Sequence, residues 1–160
     1  MSKLFVVSDI HGHYTELSKA LEKAGFDQNS KDHIFVSCGD LFDKGDENNQ
    51  VYQFVKGLQR KILIKGNHED IMHESLVEGG LTELAIQNET DFSLRQILGQ
   101  DAICEDGSFN GDYKNEIDQL ILFIESMPDY YETDKYVFNL IVHAHRNCKP
   151  ELTHTYHTDK

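Results

Sequence analysis

Basic residues are scarce in this chain. Fifteen lysines and arginines stand against 28 aspartates and glutamates, a formal net charge of −13. A surface of that sign repels nucleic-acid backbones and argues against a nuclease or a nucleic-acid-binding module, although bound divalent cations would offset it locally. Cysteine is scarce too: Cys38, Cys104 and Cys148 lie far apart and form no C-x-x-C pair. Such a scatter builds no disulfide framework and points to a reducing cytoplasm. Only two prolines are present, and with 39% hydrophobic and 27% charged residues the composition is neither disordered nor fibrous. Long apolar runs are missing as well. The stretch Met1 to Val7 is too short for a signal peptide, and nothing approaches the roughly 20 residues of a membrane span. The expectation is a soluble, cytoplasmic protein with neither nucleic acid nor membrane as partner. At 160 residues it is expected to form a single domain, large enough to bury roughly two-thirds of its unfolded surface.

What is present is a regular alternation of short apolar runs and amphipathic segments. Leu4 to Val7 reads as a strand buried on both faces. Leu17, Ala20, Leu21 and Ala24 follow at helical spacing, with Gly25 as the stop. Ile34 to Val36 is a second strand, Val51, Phe54, Val55 and Leu58 mark a second helix, and Ile62 to Ile64 is a third strand. This β-α-β-α-β order predicts a parallel sheet flanked by helices. His68 to Leu76 is expected to be helical and to break at Gly79-Gly80. Residues 88–111 are polar and broken, with short helices at best. Ile117, Leu120, Ile121 and Ile124 define a further helix ended by Met127-Pro128. Tyr130 to Glu132 and Tyr136 to Val142 then read as a hairpin around Thr133-Asp134-Lys135, its aromatic residues packing in the core. Cys38 is expected to be a small core residue.

Polar residues that carry chemistry gather where the strands end. Ser8-Asp9-Ile10-His11-Gly12 follows the first strand and Gly39-Asp40-Leu41-Phe42-Asp43-Lys44-Gly45 the second. Gly66-Asn67-His68-Glu69 follows the third, and His143-Ala144-His145 the last apolar run. In open parallel sheets, sites form outside the carboxyl ends of strands, so these four loops should meet at one edge. Asp9, His11, Asp40, Asn67 and His143 offer carboxylate, imidazole and amide donors without a thiolate, a set suited to Mn²⁺, Fe or Zn²⁺. Alternation along a strand would turn Asp9 and His11 toward the same ion. Asp40 could bridge two ions about 3.5–4 Å apart, the spacing used for in-line attack on phosphorus.

The ordered run of Asp9-x-His11, Gly39-Asp40 through Asp43-x-Gly45, Gly66-Asn67-His68-Glu69 and His143-Ala144 resembles the calcineurin-like metallophosphoesterases, and most closely their serine/threonine protein phosphatase branch. The resemblance runs from Lys3 to about His157. It implies an α/β fold in which a β-sandwich is flanked by helices. It also implies two divalent ions, Mn²⁺ ahead of Fe, Zn²⁺ or Ni²⁺, with Asp9, His11 and Asp40 holding one and Asp40, Asn67 and His143 the other. By the same resemblance a metal-bridging hydroxide attacks phosphorus and His68, oriented by Asp43, protonates the leaving alkoxide. Asn67 and Lys44 would contact the phosphate.

The chain departs from that family in three places. Lys44 stands where the branch has an arginine, keeping the charge but losing the planar fork that clamps phosphate. His145 replaces a glycine. The family also continues past the His-Ala motif with further strands and a late metal-binding histidine, so the chain reads as C-terminally incomplete relative to it. His154 imitates that histidine but falls too soon after His143. The leading expectation is therefore a two-metal phosphomonoester hydrolase acting on a phosphorylated protein or a small phosphoester. A dinucleoside polyphosphate hydrolase and a catalytically incomplete metal-binding or interaction module are the alternatives.

Overall fold

The computed structural model describes residues 2–140. The expected β-α-β-α-β order is present: β1 (Lys3–Val7), α1 (Tyr14–Ala24), β2 (His33–Ser37), α2 (Asn48–Gly57) and β3 (Lys61–Leu63). The three strands pair in parallel in the order β1-β2-β3. Phe35, Val36 and Ser37 of the central strand are all buried, as expected where helices cover both faces of a sheet. The register matters most for function. Val7 pairs with Ser37 and Ser37 with Leu63, so the three strands end level and release their loops at one edge.

Helix α1 stops where Gly25 adopts φ 76° and returns its N–H to the last turn, a conformation that glycine takes without a Cβ penalty. Helix α3 (Asn67–Glu78) begins directly after the third loop and ends at Gly79 in the same way. The polar segment 88–111 holds the short helix α5 (Thr90–Leu98), as expected, and α4 (Glu83–Gln87) lies just before it. Helix α6 (Lys114–Glu125) buries Ile117, Leu120 and Ile124. These join Phe5, Val7, Phe35, Leu17, Leu21, Val51, Val55, Met72 and Leu94 in one continuous apolar core.

The fold is the mixed α/β type that the resemblance implies. The described residues contain the parallel sheet and, apart from it, the antiparallel pair β4 (Tyr130–Glu132) and β5 (Val137–Asn139). The expectation that the hairpin aromatics enter the core is corrected. Tyr130 is 58% exposed and Tyr136 37%, and the rings of Tyr131 and Phe138 stack on each other at 6.2 Å instead. Among the described residues no helix is long and apolar enough to cross a membrane.

Candidate metal centre and acid dyad

Loops one and two continue side by side past the strands. Cys38 donates its N–H to Val7, Asp9 to Gly39, His11 to the Asp40 carbonyl, and Gly12 to Leu41. The third loop is tied to the second by one side chain. The Glu69 carboxylate accepts from the backbone N–H of Gly66 (2.9 Å), Asp40 (2.9 Å) and Leu41 (2.8 Å). The two loops touch so closely that a Cβ at Gly66 would collide with Asp40 Oδ1 and the Asp40 N–H, so only glycine fits there.

One feature of the strand-based reading is corrected. Asp9 and His11 do not alternate along a strand, because β1 ends at Val7 and both residues take positive φ, 51° and 46°. Asp40, Asp43 and Lys44 do the same, at 52°, 72° and 66°. Of the six non-glycine residues with positive φ among the described residues, these make five. Each such backbone costs on the order of 1–3 kcal/mol and persists where the surroundings over-determine it, typically at functional sites.

The strained loops bring ligand atoms of His11, Asp40 and His68 within 4.8 Å of one another. His11 Nδ1 donates to the Phe42 carbonyl at 2.9 Å. A carbonyl only accepts, so the proton sits on Nδ1 and the lone pair of Nε2 faces Asp40 Oδ2, 3.9 Å away. Fixing the far nitrogen in this way is what metal-ligating histidines need. Burial lowers the His11 pKa, opposed by the Phe42 bond and reinforced by His68. Burial likewise raises that of Asp40, against the pull of His68 and His11. A neutral imidazole, a carboxylate and a second imidazole make an N/O donor set that fits a divalent cation of the Mn²⁺, Fe or Zn²⁺ kind.

The remaining site residues fall into two groups. The Asp9 carboxylate stands outside the tight trio, but its charge reaches both His11 and Asp40. It also adds to the burial that pushes the Cys38 thiol up to about 11. Cys38 itself is half-buried rather than a core residue. Asn67 opens α3 half-buried, and Lys44 is exposed beside Asp43. His143, His145 and His154 lie outside the described residues.

His68, at the second position of α3, is buried and donates Nδ1–H to Asp43 Oδ2 at 2.8 Å. Burial pulls the imidazole pKa down, but the Asp43 bond and the charges of Asp40, Asp43 and Glu69 outweigh it and hold it above the ordinary value. The His68 backbone N–H meanwhile donates to Asp40 Oδ1 at 3.2 Å.

Three further residues support the site: Asn48 and Thr90, which belong to none of the motifs, and Glu69, which closes the third motif. Asn48 is fully buried, accepts from the Asp43 N–H (3.0 Å) and donates to the Gly45 carbonyl (2.7 Å), pinning the second loop. Thr90 donates its hydroxyl to Asp43 Oδ2 at 2.8 Å. Glu69, also fully buried, is the third; burial and nearby Asp40 push its carboxyl up to about 7 against three N–H donors that favour the anion. Glu69→Gln is expected to lower stability by about 1–3 kcal/mol, because one oxygen cannot serve three buried donors. A thermal melt checks this: a loss of about 2–4 °C per kcal/mol is expected for a chain of this size, and an unchanged melting temperature would show that the clasp is dispensable.

A family model described as calcineurin-like phosphoesterase matches residues 2–156. The chain is 38% identical over 66 residues to the symmetrical bis(5'-nucleosyl)-tetraphosphatase of Buchnera aphidicola, covering 41% of this chain and 23% of that protein. It is 31% identical over 130 residues to the asymmetrical bis(5'-nucleosyl)-tetraphosphatase PrpE of Bacillus velezensis, covering 67% of this chain and 52% of that protein. The chain thus spans about half, or less, of the length of the curated relatives it matches. Among solved structures, a metallophosphoesterase from Sphaerobacter thermophilus superposes with a TM-score of 0.53 at 16% identity, over 84% of this chain and 44% of that one. That likeness bears on the fold alone.

Proposed function

Because the chain belongs to the calcineurin-like phosphoesterase family, whose model it matches over residues 2–156, we propose that it hydrolyses phosphate esters or anhydrides of small nucleotide-like molecules, dinucleoside polyphosphates first among them. The observation that carries the chemistry is the juxtaposition of the His11 and Asp40 donor atoms with the His68–Asp43 pair. The likeness to bis(5'-nucleosyl)-tetraphosphatases is what supports that substrate class.

In this reading His11 Nε2 and Asp40 hold divalent ions, with Asp9, Asn67 and His143 completing the set. When bound, such ions supply Lewis acidity to the phosphate oxygens and lower the pKa of an attacking water. Asp40 is positioned by Glu69 through its backbone, and His11 by the Phe42 carbonyl. Lys44 and Asn67 contact the phosphate from the loop rims. As the bond to the leaving group breaks, His68 gives its Nε2 proton to the departing oxygen while Asp43 retains the Nδ1 hydrogen bond.

A second reading, phosphomonoester hydrolysis of the serine/threonine phosphatase kind, is favoured by one feature. The buried His68–Asp43 pair suits a leaving group that needs a proton, such as a serine alkoxide. A nucleotide leaving from an anhydride needs one far less.

The test is turnover by the purified chain with Mn²⁺, on diadenosine tetraphosphate and on a phosphoserine peptide in parallel, with EDTA as control. Metal-dependent cleavage of the dinucleotide is expected, and product chromatography would separate symmetrical from asymmetrical scission. Cleavage of the peptide alone would move the assignment to the second reading. Mn²⁺ binding without turnover on either would leave a metal-binding module.

A further inference from the structure

We propose that Thr90 is a positioning residue for the proton donor, acting on His68 through Asp43; the inference rests on the reading of His68 as an acid. Asp43 is fully buried, and its Oδ2 alone receives donors: His68 Nδ1–H at 2.8 Å and the Thr90 hydroxyl at 2.8 Å. The other oxygen, Oδ1, has no partner among the described residues. A carboxylate oxygen that accepts a single hydrogen bond can rock about the last torsion and shift relative to the imidazole. A second donor from a different helix, the Thr90 hydroxyl, fixes the position of the oxygen that meets His68.

The placement of Thr90 is itself built. It is fully buried at the first position of α5, directly after Glu89, which takes φ 64°. A non-glycine residue in that conformation costs energy that surrounding structure must offset. Helix α5 also grips the same loop further along: Gln96 Oε1 accepts the Asn48 N–H at 2.8 Å, and Asn48 in turn holds the Asp43 N–H. The helix is therefore fastened to the Asp43 loop at two points. At the first position of α5 the hydroxyl has no preceding carbonyl of its own helix to bond; it donates instead to a carboxylate 47 positions away in sequence.

The experiment compares wild type, Thr90→Val, Thr90→Ser and His68→Asn on two Mn²⁺-supported substrates. One is p-nitrophenyl phosphate, whose phenolate leaves without a proton; the other is an alkyl phosphomonoester, whose alkoxide needs one. In the reaction water attacks phosphorus, the phosphorus–oxygen bond breaks, and the His68 proton goes to the leaving oxygen. Thr90→Val, which keeps the shape and deletes the hydroxyl, is expected to slow kcat on the alkyl ester about tenfold, part of what a general acid supplies. On p-nitrophenyl phosphate it should stay within about twofold, and Thr90→Ser should restore the alkyl-ester rate. Equal slowing on both substrates, or no effect where His68→Asn discriminates between them, overturns the positioning role. If His68→Asn slows both equally, the acid reading itself has failed and takes the inference with it. Proton NMR of the metal-free protein gives a readout independent of turnover. A slowly exchanging imidazole Nδ1–H signal, assigned by its loss in His68→Asn, should exchange faster in Thr90→Val. An unchanged signal would also overturn the role, even in a chain that turns nothing over.

Discussion

Asp40→Asn is expected to abolish Mn²⁺-dependent turnover while leaving the metal-free fold at least as stable as wild type. The side chain is buried, with Oδ1 accepting from the His68 N–H and Oδ2 facing His11 Nε2. Asparagine keeps the shape and can place its carbonyl on the His68 N–H and its amide toward the His11 lone pair. What it loses is the charge. Burial raises the Asp40 pKa, so ionising this group opposes folding: its stabilising contribution is present below the unfolded carboxyl pKa and is lost as pH rises through the folded one. At neutral pH the neutral amide should therefore cost nothing, and the melting temperature without metal should match or exceed wild type.

The cation reverses the order. A ligand that binds only the folded state adds about 2.7 kcal/mol at a hundred times its Kd, roughly 5–11 °C for a chain of this size. Wild type should show that rise with Mn²⁺ and Asp40→Asn should not. Loss of a direct ligand should also weaken binding by more than the ~10–100-fold typical of an outer-shell change. Calorimetric titration, melting with and without Mn²⁺, and turnover together check this. A variant that still gains stability from Mn²⁺ and still turns over would remove Asp40 from the centre.

The parts of the site legible in the sequence were those that carry distinctive chemistry at strand ends. Asp40 and Asp43 fall on the loop after the second strand, and Asn67 and His68 open the helix that follows the third; the apolar runs of the parallel strands mark where these segments begin. The local geometry was less legible. Reading Asp9 and His11 as alternate strand residues failed because side-chain alternation presumes extended φ, and both residues lie past the strand in positive φ. The supporting partners were invisible for another reason. Glu69 closes the third motif, but its clasp on Asp40 spans 29 positions, and Thr90, in no motif, reaches Asp43 across 47; nothing local in either residue signals such a contact. Thr90 itself precedes the apolar spacing of Leu94, Ile97 and Leu98 that packs α5 on the core, so that spacing marks the helix but not the contact made at its first residue.

His68→Asn is the second large effect, and it separates two roles that the same geometry could serve. An imidazole whose Nδ1–H is held by a carboxylate is how a general acid is oriented, and it is also how a metal ligand is oriented. His68 stands within 4.8 Å of the ligand atoms of His11 and Asp40, and its ring meets the His11 ring edge-on at 4.7 Å. Its pKa is raised, whereas that of His11 is lowered. The two imidazoles are thus tuned apart: one is biased toward the neutral form, and the other toward carrying a proton. On that ground His68→Asn is expected to reduce kcat on an alkyl phosphomonoester by about 10²–10⁴, with Mn²⁺ affinity unchanged and a smaller loss on p-nitrophenyl phosphate. If affinity falls together with rate, and by the same factor on both substrates, His68 is a ligand. The carboxylate and hydroxyl behind it would then serve to hold a metal-bound ring rather than to aim a proton.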